Sequence, residues 1–264
     1  MTELNHTPQP GQLKVLLLGD TCTDQYIIGE VERISPEAPV PIIKIESEYQ
    51  TPGMAANVLR NLKKLNCYVL DAISRADIFK TRYIDKKSKQ QLLRVDSDTG
   101  AERWHGHFEP QAAEWVDLVV VSDYDKGFLW PADIEKIISI AKTPVFIDTK
   151  KRDLASFSGD NVFVKINEDE YRNRKSDAQN MIVTMGGKGA KLIINGEEKL
   201  FPVKETEVVD VCGCGDTFLA AVAFEYVRNG HDINKAIDFA NKAGSITVQH
   251  RGNYAPTLEE IENA

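Results

Sequence analysis

Short runs of apolar residues recur along the chain, and most are separated by segments whose apolar positions repeat at helical spacing. Such runs, set between helical segments, are typical of strands in a parallel sheet that helices cover on both faces. The pattern therefore predicts an α/β fold with a largely parallel main sheet. The predicted strands are Lys14–Leu18, Tyr68–Ile73, Leu118–Ser122, Val145–Asp148, Val162–Ile166, Met181–Met185 and Ala190–Ile194.

Four segments have the apolar periodicity of amphipathic helices. The second begins near Pro131, which suits the first turn of a helix, and the third runs from about Asp216 to the stop signal Asn229-Gly230. We expect these helices to pack on the faces of the main sheet. Their inward positions include Ala55, Val58, Leu59, Leu62 and Leu65, then Ile134, Ile137, Ile138 and Ala141, and in the last helix Ile233, Ala236, Ile237 and Ala240.

Four other segments do not follow the strand–helix alternation. They are Gln25–Val31, Val40–Glu46, Arg82–Asp85 and Gln91–Val95, and their polar and apolar residues alternate as in antiparallel strands. This pattern predicts a small antiparallel sheet beside the main one.

Length and composition narrow the function classes. The 264 residues are 42% hydrophobic, and no Pro- or Ser-rich linker divides them, so we expect one domain over residues 1–264. Its small sheet would be built from excursions around residues 25–46 and 81–95. The net charge of −8 argues against a nucleic-acid partner. The apolar run Leu13–Leu18 is too short for a signal peptide or a membrane span, and we expect a cytoplasmic protein.

Cysteines and histidines do not indicate a zinc site. Cys212 and Cys214 lack a second pair at compatible spacing, and His105 with His107 lacks a third ligand. Because no feature marks the chain as secreted, we expect its four cysteines to be reduced. The two thiols near the start of the third helix are expected to ionise more readily than that of Cys67.

The segment most informative about chemistry is Asp210–Phe218, in which Gly213 and Gly215 directly precede an apolar helix. The unpaired N–H groups at a helix start bind anions, and glycines let an anion approach the backbone. Asp216, at the helix start, has two interpretations from spacing alone. It caps the helix, or it faces the cleft and takes a proton from an attacking hydroxyl.

The Gly-x-Gly-Asp motif of this segment resembles the signature of ribokinase-like sugar kinases of the phosphofructokinase B type. Other motifs agree in order from Lys14 to about Pro256. They resemble in particular the kinase domain of bacterial heptose-phosphate kinases. These motifs are Gly19-Asp20, Arg33-Ile-Ser-Pro-Glu-Ala-Pro-Val-Pro41, Pro52-Gly-Met-Ala-Ala-Asn57, Lys80-Thr-Arg82, Gln90-Gln-Leu-Leu-Arg94 with Asp96, and Ser122-Asp-Tyr-Asp-Lys-Gly127.

The resemblance implies an ATP-dependent kinase with Asp216 as its catalytic base. It further implies Mg²⁺ held through water by Asn167 and Glu170, and K⁺ as a further cation near Asp210. The backbone N–H groups of the anion hole would be those of Gly213, Cys214 and Gly215. ATP would contact Thr184, Gly186, Gly189 and Asn241.

The same resemblance implies which residues bind the sugar. Its hydroxyls would be held by Asp20, Gly53 and Asn57, and its distal phosphate would be neutralised by Arg82, Arg94 or Lys126. The implied reaction phosphorylates the anomeric hydroxyl of D-glycero-D-manno-heptose 7-phosphate. We also expect a homodimer through the small sheet, because unpaired sheet edges seek partners.

The sequence departs from the family pattern in several places. Connections after Ser74 and after Tyr171 are shortened, Met54 stands where the family has a second glycine, and Thr149 replaces a proline. Two alternatives therefore stay open. One is a kinase for another sugar or sugar phosphate, and the other is a binding protein that kept the fold and lost turnover.

Overall fold

Two sheets organise the computed structural model, which describes residues 7–106 and 114–264. His107 and the first six residues lie outside this part of the chain. The main sheet has eight strands in the order β12-β11-β10-β9-β8-β7-β1-β4. Six of them are parallel, and β11 and β12 join antiparallel at one edge. Its strands are β1 Lys14–Gly19, β4 Tyr68–Ile73, β7 Leu118–Asp123, β8 Val145–Thr149, β9 Val162–Asn167, β10 Asn180–Thr184, β11 Ala190–Ile194 and β12 Glu197–Phe201.

Helices cover both faces of the main sheet, as the periodicity predicts. One core cluster packs α1, α4, α5 and α6 on one face, and a second cluster packs α2 on the other. The described helices are α1 Ala55–Lys64, α2 Pro131–Ile140, α3 Glu168–Asn173, α4 Cys214–Arg228, α5 Ile233–Thr247 and α6 Leu258–Glu262. The predicted α/β fold class is confirmed.

The four remaining strands form a separate small sheet, which we call the lid. They are β2 Thr21–Ile34, β3 Pro41–Met54, β5 Phe79–Asp85 and β6 Gln91–Ser97, in the order β3-β2-β5-β6. The two outer pairings are antiparallel, as predicted, whereas β2 and β5 pair in parallel. A parallel pair is possible here because the two strands are joined through β3, α1 and β4 and not by a hairpin.

Two departures from the family pattern have local structural consequences. Met54 precedes α1 with a φ of 57°, a left-handed conformation that glycine adopts far more easily. The Thr149 hydroxyl donates to Asp123 Oδ2 at 2.6 Å, a bond that a proline could not make. In the part of the chain that the structure describes, no helix is long and apolar enough to cross a membrane.

Candidate active site

Asp216 lies in the first turn of α4 and is almost completely buried. Asn57 Nδ2 donates to its Oδ2 at 2.9 Å, and the Tyr124 hydroxyl donates to its Oδ1 at 2.9 Å. Burial raises the pKa of Asp216 to about 6; the nearby Asp148 charge adds to this, and the Asn57 and Tyr124 hydrogen bonds oppose it. The carboxylate points to other side chains and does not cap the helix, which favours the base interpretation.

The predicted anion hole begins at Gly213, whose φ of 73° places it in the left-handed region. A side chain there would meet Asn57 Nδ2 and Asn253 Oδ1, so only glycine fits. Among the described residues, the N–H groups of Gly213 and Gly215 have no acceptor. The Cys214 N–H donates to the Val211 carbonyl at 3.3 Å. Of the three predicted donors, Gly213 and Gly215 are thus the two without an acceptor, and the role of Cys214 stays a prediction.

The two thiols beside the anion hole are less acidic than the sequence predicts. Burial raises the pKa of both Cys212 and Cys214, although both lie near a helix start. Burial also raises the pKa of Cys67 to about 12. Desolvation of the thiolate is therefore the largest influence on the pKa of both thiols, ahead of the Arg82 and Lys165 charges that lower it.

Asn167 and Glu170 are held together at the start of α3. Asn167 Oδ1 accepts from the Glu170 N–H at 2.9 Å, and Glu170 Oε2 accepts from the Asn167 N–H at 2.8 Å. Lys150 forms an ion pair with the other Glu170 oxygen. All three line a cavity of about 270 Å³. These oxygen donors suit a hydrated Mg²⁺ ion, because Mg²⁺ prefers oxygen ligands and retains several waters.

Direct coordination by a cluster of acidic side chains is not available. The described residues contain no group of three or more His, Cys, Asp or Glu side chains that could hold a metal ion. Contact through water, with Asn167 and Glu170 as the residues that would hold the ion, stays a prediction of the family resemblance.

Two of the four residues predicted to bind ATP, Gly189 and Asn241, meet at the Phe201 carbonyl. Asn241 Nδ2 donates to this oxygen at 3.1 Å, and a side chain at Gly189 would collide with it. Gly186 begins the short 3₁₀ turn Gly186–Lys188 in open space, and Thr184 ends β10. The structure thus brings Gly189 and Asn241 together and leaves Gly186 accessible.

Two of the three residues predicted to bind sugar hydroxyls are fully buried. Asp20 Oδ2 accepts from the backbone N–H groups of Tyr124 and Lys126, and its Oδ1 has no partner. Asn57 contacts Asp216 directly. Gly53 packs so closely on Asp24 that a Cβ would lie 2.2 Å from Asp24 Oδ2. Asn57 therefore lies beside Asp216, the predicted catalytic base. Asp20 holds the loop after β7 through its hydrogen bonds to Tyr124 and Lys126.

Each cation predicted for the distal phosphate already has a carboxylate partner. Arg82 donates to Asp24 Oδ1 at 2.6 Å, Lys126 pairs with Asp98, and Arg94 holds both Asp96 oxygens at 2.7 and 2.5 Å. Arg82 and Arg94 are direct partners across β5 and β6. The structure brings the two arginines together but neutralises both.

Sequence reasoning missed four polar residues at this site: Tyr124, Asp148, Lys165 and Asn253. Tyr124 lies within the motif from Ser122 to Gly127, in which the resemblance predicts a role only for Lys126. Asn253 Nδ2 donates to Asp24 Oδ2 at 3.0 Å and to the Pro52 carbonyl at 2.8 Å, so it connects the lid to the anion hole. No local pattern in the sequence could have identified Asn253.

Comparison with known proteins agrees with this geometry. Residues 165–260 match the pfkB family carbohydrate kinase pattern. The bifunctional protein HldE of Nitratiruptor sp. is 31% identical over 94% of the chain and 64% of its own length. HldE of Caulobacter vibrioides is 32% identical over 98% of the chain and 65% of its own length. The chain thus spans just under two thirds of the length of these relatives.

A solved structure matches nearly the whole chain. The ribokinase of Thermotoga maritima has a TM-score of 0.72, with 17% identity over 95% of this chain and 98% of its own. The resemblance inferred from the motifs is confirmed. The chain has a ribokinase-like fold, and its residues 165–260 match the pfkB family carbohydrate kinase pattern.

Proposed function

We propose that the protein is an ATP-dependent sugar kinase with Asp216 as the general base. The observation that carries this proposal is the buried Asp216 carboxylate with a pKa of about 6, beside two free N–H groups at a helix start. A base is most effective when its pKa is close to the working pH. The family match of residues 165–260 supports the same class of reaction.

The proposed proton transfer uses the free acceptor capacity of Asp216. A carboxylate offers about four lone pairs, and Asn57 and Tyr124 occupy one each. The acceptor hydroxyl of the sugar would give its proton to a remaining lone pair as its oxygen attacks the γ-phosphorus. The bond between that phosphorus and the β-phosphate oxygen breaks, and ADP leaves.

The remaining groups would orient ATP and stabilise charge. The N–H groups of Gly213 and Gly215 would bind the oxygens of the transferred phosphoryl group. Asn167 and Glu170 would hold Mg²⁺ through water, and the ion, when bound, neutralises charge on the phosphates. The turn with Gly186 and Gly189 would contact the nucleotide phosphates, and Asn241 would cover the adenine. K⁺ near Asp210 is part of the same proposal.

The proposed substrate is D-glycero-D-manno-heptose 7-phosphate, phosphorylated at the anomeric hydroxyl. Support comes from the Arg33–Pro41 motif, at the tip of the β2–β3 hairpin of the lid, and from the relatives named HldE. The distal phosphate would bind at Arg82 and Arg94, with Lys126 nearby. Substrates of this kind would place the enzyme in the cytoplasm.

The test is ADP release over a panel of sugar 7-, 6- and 1-phosphates and free sugars, with a sugar-free control. We expect the fastest ADP release with the heptose 7-phosphate and much slower release with the unphosphorylated heptose. A free hexose or ribose as the best substrate would favour the alternative, a kinase for another sugar. ADP release with none of them would favour a binding protein without turnover.

A homodimer through the lid is also proposed. Seven of the thirteen large hydrophobic side chains exposed among the described residues lie on the lid and its hairpin, although exposed apolar groups are usually scattered. These seven side chains are Ile34, Val40, Ile45, Tyr49, Leu92, Leu93 and Val95. Sedimentation velocity of the Leu93→Lys variant against wild type tests the dimer, with a monomer expected for the variant.

A further inference from the structure

One face of the main sheet changes from apolar to polar between two adjacent rows of side chains. On the face that α4 covers, Leu17, Val120, Phe146 and Phe163 are paired in register and lie in the core. Two residues further along the same strands, the register row reads Gly19, Ser122, Asp148 and Lys165. Since side chains alternate along a strand, this polar row faces the same side and meets the first turn of α4.

Lys165 is a buried ammonium in this row. Its Nζ donates to Asp148 Oδ2 at 2.7 Å, and the side chains of both residues are at most 5% exposed. A Cβ built on Gly215 would lie 3.0 Å from Lys165 Nζ, so the ammonium lies against an anion-hole residue. Among the described residues, Asp148 is its only hydrogen-bond partner. An ammonium has three N–H donors, so two are available to a ligand.

Several buried polar atoms near the start of α4, or at the strand ends before it, have no partner among the described residues. They are Asp20 Oδ1, Ser122 Oγ, Asp148 Oδ1 and Asn253 Oδ1. Folded proteins satisfy nearly all buried polar groups, so these atoms mark a region that a ligand or ordered water would complete. Of the four, the Ser122 hydroxyl is the one that could donate to a phosphate oxygen.

The ion pair with Asp148 holds the Lys165 ammonium against Gly215 and leaves part of its donor capacity unused.

We propose that Lys165, positioned by Asp148, is a further phosphate-binding residue that contacts the transferred phosphoryl group of the nucleotide at the anion hole. The identity of the ligand rests on the proposed kinase function. Charge on the transferred group spreads over its outer oxygens in the transition state, and a fixed cation in a dry site stabilises it strongly. The alternative is an ion pair that only supports the sheet.

The test must separate lost charge from lost folding. Removing one member of a buried ion pair leaves an unpaired charge, whereas replacing both by apolar residues is often tolerated. We therefore choose the double variant Lys165→Met/Asp148→Leu. Its control, Arg228→Met/Glu225→Gln, removes the 2.6 Å ion pair at the far end of α4. Thermal unfolding of both variants establishes that they fold.

Two measurements decide the proposal. The first is titration calorimetry with Mg²⁺ and either a non-hydrolysable ATP analogue or ADP, without sugar. Wild type and control should prefer the ATP analogue, and the double variant should lose that preference while its ADP affinity stays within about threefold. The second is kcat with the best sugar, which should fall by about 10²–10³-fold, as for loss of one oxyanion donor.

A folded double variant with an unchanged preference for the ATP analogue and a kcat within threefold of wild type would overturn the proposal. If the double variant does not fold, a crystal structure of the wild type with the ATP analogue and Mg²⁺ decides. Lys165 Nζ within hydrogen-bonding distance of a γ-phosphate oxygen supports the proposal, and a separation beyond 5 Å contradicts it. Failure of the wild type to bind either nucleotide would instead refute the proposed function.

Discussion

Two groups of cations lie near the candidate site, one in the main sheet and one in the lid. Lys165 is buried beside Gly215, and within the described part of the chain its ammonium has one hydrogen-bond partner and two N–H donors to spare. Arg94 is half exposed and has both Asp96 oxygens as partners, and Arg82 is tied to Asp24. The main-sheet cation is fixed with spare donors, whereas the lid cations are neutralised.

This difference distinguishes the nucleotide side of the candidate site from the sugar side. A phosphate that meets Lys165 finds a preformed donor, so little reorganisation is needed there. A phosphate that meets Arg82 or Arg94 must share or replace a carboxylate, which offsets part of the binding free energy. We therefore expect the nucleotide side to be preorganised and the sugar side to adjust on binding. The following predictions test that contrast.

The largest effect is expected at Asp216, on the preorganised side. Asp216→Asn keeps the shape of the side chain but cannot accept the proton, and a general base contributes on the order of 10²–10⁴-fold. We expect kcat to fall by that factor while ATP affinity, measured by titration calorimetry, changes little. Asp238→Asn, at an exposed position on α5, serves as the control. Wild-type turnover in Asp216→Asn would show that Asp216 is not the base.

The next effect is expected on the adjustable side. Arg82→Ala should raise KM for the sugar phosphate by about 10–100-fold, because charge-assisted hydrogen bonds contribute roughly 1.5–3 kcal/mol. Arg94→Ala should raise it less, because Arg94 is exposed and held by Asp96 at both oxygens. KM for the unphosphorylated sugar and the Kd for ATP should not change. If both variants retain the wild-type KM, the assignment of the distal phosphate to the lid is wrong.

The pH dependence of kcat/KM should report the raised pKa of Asp216. Because burial raises the pKa of Asp216 to about 6, the carboxylate takes up a proton as pH falls through that value. Activity should therefore be constant above about pH 7 and fall about tenfold per pH unit below about pH 6. An acid limb near pH 4, the ordinary range of a carboxyl group, would mean that Asp216 is not desolvated in the working enzyme.

The smallest effect is expected for the thiols. Cys212 and Cys214 are partly exposed while Cys67 is buried, so alkylation should be faster at the first two. All three reactions should be slow at pH 7, because burial raises the pKa of each thiol. Mass-spectrometric mapping should show that Mg-ATP slows labelling of Cys212 and Cys214 by a few-fold. Labelling that Mg-ATP does not change would move the phosphate site away from Gly213.

Local patterns in the sequence predict much of this molecule. Seven main-sheet strands are within about one residue of their predicted bounds, because each contains a short run of mainly apolar residues. Strand β12 was missed because four of its five residues are exposed, which leaves no apolar run. Strand β3 of the lid continues to Met54, beyond its predicted end at Glu46, because polar and apolar residues alternate only weakly in its second half.

The functional residues differ in the same way: local sequence patterns predict some of them and not others. Asp216 and Gly213 could be predicted because one short motif carries both the helix start and the carboxylate. Lys165 could not, because it follows Val162–Val164 on a strand, where nothing local shows that Asp148 lies opposite. The role of Tyr124 likewise depends on contact with Asp216, which is 92 residues away in sequence. Roles that arise from such long-range contacts require the fold.

The contact between Asn253 and Asp24 has a consequence for how the protein comes to be active. It joins residues 229 positions apart, and β1 pairs with β7 across about a hundred residues. Contacts of such high sequence separation form late, because closing long loops is entropically costly. During synthesis this contact can form only after Asn253 has left the ribosome, so a nascent chain that still lacks this residue has a lid without that link to the loop at Gly213.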